Sequence, residues 1–262
     1  VSETQRLEGY YAVVVQEEDV SRAAEQLRLY SLENKNQPRP AKPLKNVSNG
    51  LIGALWYSAL LLLFFLLQHF GVFDRSITAI GRAHAGSIQA GEWWRAITAL
   101  SLHSGIVHLI GNIIFGVLFG VMVSQRLGSG VAWFAILVAG AMGNIFSGFI
   151  EAPHFSAIGA STATFAALGI LSAYTWQHRR HLVHTGFRRW IPIFAGLALL
   201  AFLGGPGERV DVLSHLTGFI SGILFGGILG VMADRLMLTT IIQISFGVVT
   251  ISLIALAWLM AL

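Results

Sequence analysis

Seven apolar runs, each close to the length of a bilayer crossing, dominate this chain of 262 residues. A spanning helix takes about 20 predominantly apolar residues. The segments 51–68, 105–124, 131–150, 158–176, 190–204, 212–233 and 240–261 come near that length. Hydrocarbon offers no partner to open backbone N–H and C=O groups, so runs of this kind fold as a helical bundle. The fifth run is the weakest, being short and ending at Gly204-Gly205-Pro206-Gly207. Charge is scarce, at 11% of residues against about 25% in soluble domains, and it is unevenly spread. Residues 1–45 hold seven of the thirteen acidic and seven of the seventeen basic side chains. The expected organisation is a small cytoplasmic α/β segment and linker over 1–45, followed by an all-α polytopic membrane domain over 46–262.

The net charge of +4 and a pI of about 9.8 do not point to nucleic acid, because the bases sit in short loops between spans. Lys35, Arg39, Lys42 and Lys45 precede the first span; Arg126 follows the second; Arg179, Arg180, Arg188 and Arg189 follow the fourth; Arg235 follows the sixth. The opposite loops carry Arg75, Arg82, Arg95 and Arg209 among Asp74, Glu92, Glu151, Glu208 and Asp211. The positive-inside bias therefore predicts a cytoplasmic N-terminus and an external C-terminus, in what is expected to be a bacterial inner (plasma) membrane. The same bias, or anionic lipid, accounts for the His178, His181, His184 run among the arginines. With no cysteine in the chain, a disulfide framework and a thiolate nucleophile are both excluded.

Tyr10 to Val15 reads as a strand and Asp19 to Leu32 as a helix, with Asp19 as N-cap and Val20, Ala23, Ala24 and Leu27 on one face. Asn34 to Asn49, rich in proline and lysine, reads as a linker. The long 69–104 connection is not polar throughout. Ile77, Ile80, Trp93, Trp94, Ile97 and Leu100 predict that it lies in the interface or packs on the bundle.

Polar groups are costly in hydrocarbon and tend to mark function there. Spans two, four and six run from outside to inside in the predicted topology. His108 and Asn112 then fall in the first turns of span two, Ser161 at the mouth of span four, and His215 one turn into span six. All four residues are predicted at one depth, near the outer surface. Each has an ordinary alternative taken singly: Ser161 as a cap or interhelical hydrogen bond, Asn112 as interhelical glue, His215 held by Asp211 one turn earlier. Together they offer a hydroxyl, an imidazole and hydrogen-bond donors, which is what acyl transfer uses. A metal site at His103, His108 and His215 lacks a carboxylate or thiolate at ligand spacing, and no metal or cofactor is expected. Small residues predict which spans touch. Gly218, Gly222, Gly226 and Gly230 recur every four residues in span six, and Gly159, Ala160, Ala163, Ala166, Ala167 and Gly169 crowd span four. Such stripes let backbones approach closely.

Gly-x-Ser in span four, His-x-x-Gly-x-x-x-Gly (215–222) in span six, His-x-x-x-Asn (108–112) in span two and Glu-x-Trp-Arg (92–95) in the first long loop together resemble the rhomboid family of intramembrane serine proteases. The resemblance covers about residues 50–235 and implies a six-helix core, here with a seventh C-terminal helix. It implies Ser161 as nucleophile and His215 as its base, without a carboxylate. It also implies His108 and Asn112 as oxyanion donors joined by the Ser161 backbone N–H, and His103 as another frequent family histidine. Two positions depart from the family pattern: Thr162 stands where Gly is common, and Phe165 where Tyr is common. Neither removes a catalytic group, so an active endopeptidase acting on transmembrane-helix proteins is expected, with activity falling on acidification as the imidazole protonates. Asp211 is expected to cap its helix rather than complete a triad. The other readings are a catalytically inactive relative that binds transmembrane helices and, further off, a transporter, for which no internal repeat is visible.

Overall fold

The computed structural model describes residues 3–7, 10–34, 46–71, 76–179, 187, 190–203, 211–232 and 239–262. The chain forms two compact units, Val1–Ala41 and Lys42–Leu262. The 45/46 boundary expected from sequence, the Arg/His-rich loop beyond residue 179 and the 204–207 end of the fifth run lie outside the described residues.

In the first unit, β1 (Glu3–Leu7) pairs antiparallel with β2 (Tyr10–Val14), followed by α1 (Val20–Glu33). β1 has no counterpart among the predicted elements, since Glu-Thr-Gln-Arg-Leu carries a single apolar residue and no alternation. Asp19 stands at the N-cap of α1, but its side chain makes no capping hydrogen bond. A 3-10 turn over Glu17–Asp19 leads into the helix instead.

The second unit is helical, and a helix covers each of the seven apolar runs. These are α2 (Leu51–Phe70), α6 (Ile106–Leu127), α7 (Ser129–Ile150), α8 (Ser161–Arg179), α9 (Ile191–Leu203), α10 (Val212–Met232) and α11 (Thr240–Ala261). Five of them, α2, α6, α7, α10 and α11, are long and apolar enough to cross a membrane. Helix α9 is shorter. Helix α8 is more polar, and its position explains why: it packs against α6, α7, α9 and α10. Its Thr162, Thr164, Ser172 and Gln177 are buried, so protein rather than lipid surrounds them.

The 69–104 connection folds onto the bundle, with Ile77, Ile97 and Leu100 buried. It contains α3 (Ile77–Gly81), β3 (Ala83–His84), α4 (Ala85–Gln89), α5 (Arg95–Thr98) and a 3-10 turn over Ala99–Ser101. β3 pairs with β4 (Ser156–Ala157), which immediately precedes α8. The Glu-x-Trp-Arg motif is a clasp within this connection. Arg95 pairs with Glu92 and donates to the carbonyls of Ala79 and Arg82 at 3.2 and 3.3 Å. Asn144 of α7 donates to Ala96 O at 2.9 Å, tying the connection to the bundle.

Candidate active site

The seam between α8 and α10 sets the reacting distance. A Cβ on Gly218 would stand 2.4 Å from Thr162 O, one on Gly222 2.1 Å from Ala166 O, and one on Gly226 2.4 Å from Ile170 O. At these positions one helix's Cα lies directly on the other's carbonyls, closer than any side chain permits. The end of this seam at the start of α8 brings Ser161 Oγ to 2.9 Å from His215 Nε2, inside the range of about 2.6–3.2 Å for a nucleophile and its base. Phe165, one turn along α8, lays its ring 4.5 Å from the imidazole between centroids. His215 and Phe165 are buried, and Ser161 is half-buried.

Asp211 does not complete a triad through its described hydrogen bonds. Its carboxylate accepts from Ser214 N at 2.9 Å and from the Ser214 hydroxyl, and Ser214 Oγ also meets Ser147 Oγ of α7 at 2.9 Å. This is an N-terminal cap on α10, which fixes the turn that carries His215.

His108 approaches from α6. Its Nδ1 faces the N–H and hydroxyl of Ser104, at 3.5 and 3.1 Å. A backbone N–H can only donate, so Nδ1 accepts and the ring proton sits on Nε2. That Nε2 points at Gly159, which has φ +136°. The point where a Cβ of residue 159 would stand lies 2.7 Å from His108 Nε2 and 3.6 Å from Ser161 Oγ. Only glycine at 159 lets the His108 ring lie so close to the backbone that leads into Ser161. The Ser161 N–H, at the first residue of α8, belongs to the turn whose amides have no partner within the helix.

Asn112 is buried on the same face of α6, but its amide donates to His108 O of its own helix at 3.0 Å. Tyr57 of α2 donates its hydroxyl to Asn112 O at 2.9 Å. His103 lies edge-on to His108 with ring centroids 5.1 Å apart. It is buried, and burial together with the neighbouring His108 pushes its pKa down to about 4. Thr162 turns its methyl into the groove between Gly143 and Gly218, 2.9 Å from where a Cβ on either would stand. Beside Ser161 a cavity of about 20 Å³, bordered by Gly159, Thr162, Asn144 and Asp211, has room for one water. Among the described residues no group of three or more His, Asp or Glu side chains is disposed to hold a metal ion.

The structure therefore brings together Ser161, His215 and His108, with Asn112 adjacent and its amide turned away. Ser104 and Gly159 complete the arrangement. Ser104 is not distinguished by sequence, since one turn before His108 a serine reads as an ordinary helix-start residue. Gly159 stands out in sequence as the glycine of Gly-x-Ser, though without its positive φ.

A membrane-embedded helical bundle with an apposed serine and histidine beneath a loop clasp defines the class. The rhomboid domain model matches residues 90–232, and the chain belongs to the rhomboid family. It is 34% identical to the rhomboid protease GluP of Bacillus subtilis over 178 residues, 67% of this chain and 34% of that protein. It is 28% identical to rhomboid-like protease 3 of Toxoplasma gondii over 150 residues, 57% of each. It is 29% identical to the putative rhomboid protease YdcA of Bacillus subtilis over 136 residues, 51% of this chain and 66% of that one. The chain thus spans between a third and two thirds of the length of these relatives.

Proposed function

We propose that this chain is an intramembrane serine endopeptidase that cleaves transmembrane-helix proteins near the outer face of the membrane. The observation that carries the reading is the 2.9 Å contact of Ser161 Oγ with His215 Nε2, with His108 Nε2 turned to the Gly159 backbone beside it. Ser161 Oγ attacks the scissile carbonyl carbon as neutral His215 takes the hydroxyl proton. The carbonyl oxygen becomes an oxyanion held by His108 Nε2–H and the Ser161 N–H, and by Asn112 once its amide leaves the His108 carbonyl. His215 then returns the proton to the leaving amine as the C–N bond breaks. Water then attacks the acyl carbon as His215 takes its proton. The ester bond to Ser161 Oγ breaks and His215 returns the proton to that oxygen. The cavity beside Ser161 is suited to hold that water.

In this reading the apolar runs make seven spans, the loop charges favour a cytoplasmic N-terminus and an external C-terminus, and the membrane is a bacterial inner membrane. The substrate is a helix whose top unwinds, because an intact helix engages its own carbonyls. It enters from the lipid between α6 and the short α9. On α6, Val107, Ile110 and Ile114 face outward, 83%, 48% and 56% exposed. A verified cross-link of α9 to α6 is expected to block cleavage of membrane substrates.

The deciding experiment is cleavage of a model transmembrane substrate in detergent by the wild type, Ser161→Ala and His215→Ala, each with folding checked. Cleavage lost in both variants supports the protease. No cleavage across a broad panel, with no fluorophosphonate labelling of Ser161, moves the chain to the inactive, helix-binding reading.

A further inference from the structure

We infer that the last helix, α11, serves the active site, and that its Trp258 is a positioning residue for the oxyanion side. The inference rests on the protease reading above. Helix α11 packs on α7, α5 and α3, and much of its surface is apolar and outward-facing, with Ile241, Ile244, Val248 and Leu259 exposed. Two polar side chains pin it at opposite ends, 15 residues and so about 22 Å apart along the axis.

The anchor remote from the site is Gln243. Its Nε2 donates to Leu127 O at 2.9 Å, and its Oε1 accepts from Val131 N at 3.2 Å. It therefore caps both the end of α6 and the start of α7, groups that those helices cannot satisfy themselves. A Cβ on Gly128 or Gly130 would collide with Gln243 at 2.3 and 1.8 Å. This anchor touches nothing near Ser161.

The other anchor touches the site through a single turn. Trp258 is buried and donates Nε1–H to Ser101 Oγ at 3.2 Å. Ser101 Oγ in turn donates to Thr98 O at 2.7 Å. The indole stacks on Phe64 of α2 at 4.7 Å and packs with Ile77 and Leu102. The turn it holds, Ala99–Ser101, reaches both halves of the oxyanion site. Ala99 O accepts Gly159 N–H at 3.0 Å, which sets the residue that faces His108 Nε2. Two residues on from Ser101, His103 lies against the His108 ring. Gln68 of α2 holds the same strand from its other side, accepting His103 N–H at 3.0 Å. Trp258 is thus two hydrogen bonds and one turn from the Gly159 backbone, against which His108 Nε2 lies. A shift of the turn moves Gly159 and His103 together, and displacements of about 1 Å cost reaction rates heavily.

The two anchors supply their own control. Wild type, Trp258→Phe, Ser101→Ala and Gln243→Ala are compared for the rate of Ser161 labelling by a fluorophosphonate, for kcat and KM on one transmembrane substrate, and for Tm. Ser101→Ala leaves the indole in place, whereas Trp258→Phe removes the N–H together with part of the fused ring and keeps a phenyl to lie on Phe64. Both are expected to slow labelling and lower kcat by about tenfold, with KM within about twofold. Their double variant should be no slower than either alone. Gln243→Ala is expected to lower Tm while labelling runs at the wild-type rate. Wild-type labelling rates in Trp258→Phe and Ser101→Ala, with Tm reduced as in Gln243→Ala, would overturn the inference and leave α11 a stabilising strut. A wild type that is neither labelled nor active overturns the protease reading itself, and this inference falls with it.

Discussion

Gly159 and His108 are locked together by the absence of a side chain: a Cβ at 159 would stand 2.7 Å from both Cε1 and Nε2 of the imidazole. The backbone at 159 is also in a conformation, φ +136°, that side chains rarely adopt. Gly159→Ala therefore adds strain of about 1–3 kcal/mol and pushes the His108 ring away from the backbone beside Ser161. The expected result is a folded protein whose Ser161 labelling rate falls by about 10²–10³, as for loss of an oxyanion donor. The check is labelling rate against Tm across Gly159→Ala and Ser104→Ala. The second variant removes the hydroxyl from His108 Nδ1 but keeps the Ser104 N–H there and does not displace the ring, so its loss should be smaller.

Asn112 and His108 should not be equivalent. His108 already directs its Nε2 to the backbone beside Ser161, whereas the Asn112 amide is engaged with His108 O at 3.0 Å and must leave that bond to reach an oxyanion. A neutral hydrogen bond of this kind contributes about 0.5–1.5 kcal/mol net, which offsets part of what the amide gives in the transition state. His108→Ala is expected to lower kcat more than Asn112→Ala, by roughly the two- to tenfold that this offset represents. Parallel kcat measurements decide it. Equal losses would mean that the amide swings out at no cost.

The seam between α8 and α10 makes a separate prediction. Gly222→Ala places a methyl 2.1 Å from the Ala166 carbonyl oxygen, backbone that cannot give way, so the two helices must part. Overpacking of this kind costs about 1–3 kcal/mol, and the separation lengthens the Ser161–His215 contact at the seam's end. Gly222→Ala should therefore lose labelling as well as stability. Gly227, with nothing within 4 Å of its missing Cβ, is the control. Gly227→Ala should leave labelling intact and raise stability by up to about 1 kcal/mol.

What could be read from sequence divides along physical lines. Ser161, His215, His108 and Asn112 are legible because a polar residue in an apolar run is an exception that needs a cause, and because their order and spacing resemble one family's. The glycines of span six are legible as a packing stripe. Gly159 is legible as the glycine of Gly-x-Ser, but its positive φ is not, since it leaves no mark when many neighbours are also small. The polar content of α8 made it the least hydrophobic of the long helices, and only the bundle packed around it shows where those side chains are buried. Trp258 near the end of an apolar run is indistinguishable in sequence from an interfacial anchor. Its tie to Ser101, 157 residues away, is a property of the fold alone. The strand Glu3–Leu7 lacks the apolar alternation that would announce it.

His103 ties acid stability to the site's architecture. It lies just ahead of α6, and burial and the adjacent His108 lower its pKa from 6.5 to about 4. A histidine whose folded pKa is depressed stays neutral in the native state while the unfolded chain takes up a proton. Stability is therefore at its full value above pH 6.5, falls as the pH drops from 6.5 towards 4, and changes no further from this source below that. A gap of this size corresponds to at most about 3 kcal/mol at the acid end. Unfolding midpoints in detergent are expected to decline for the wild type across that window, and His103→Gln should decline less, because its side chain does not titrate. The difference between the two curves isolates His103 from the other histidines that titrate nearby. Parallel curves would assign the acid loss elsewhere and show that His103 accepts a proton in the folded protein as readily as in the unfolded one.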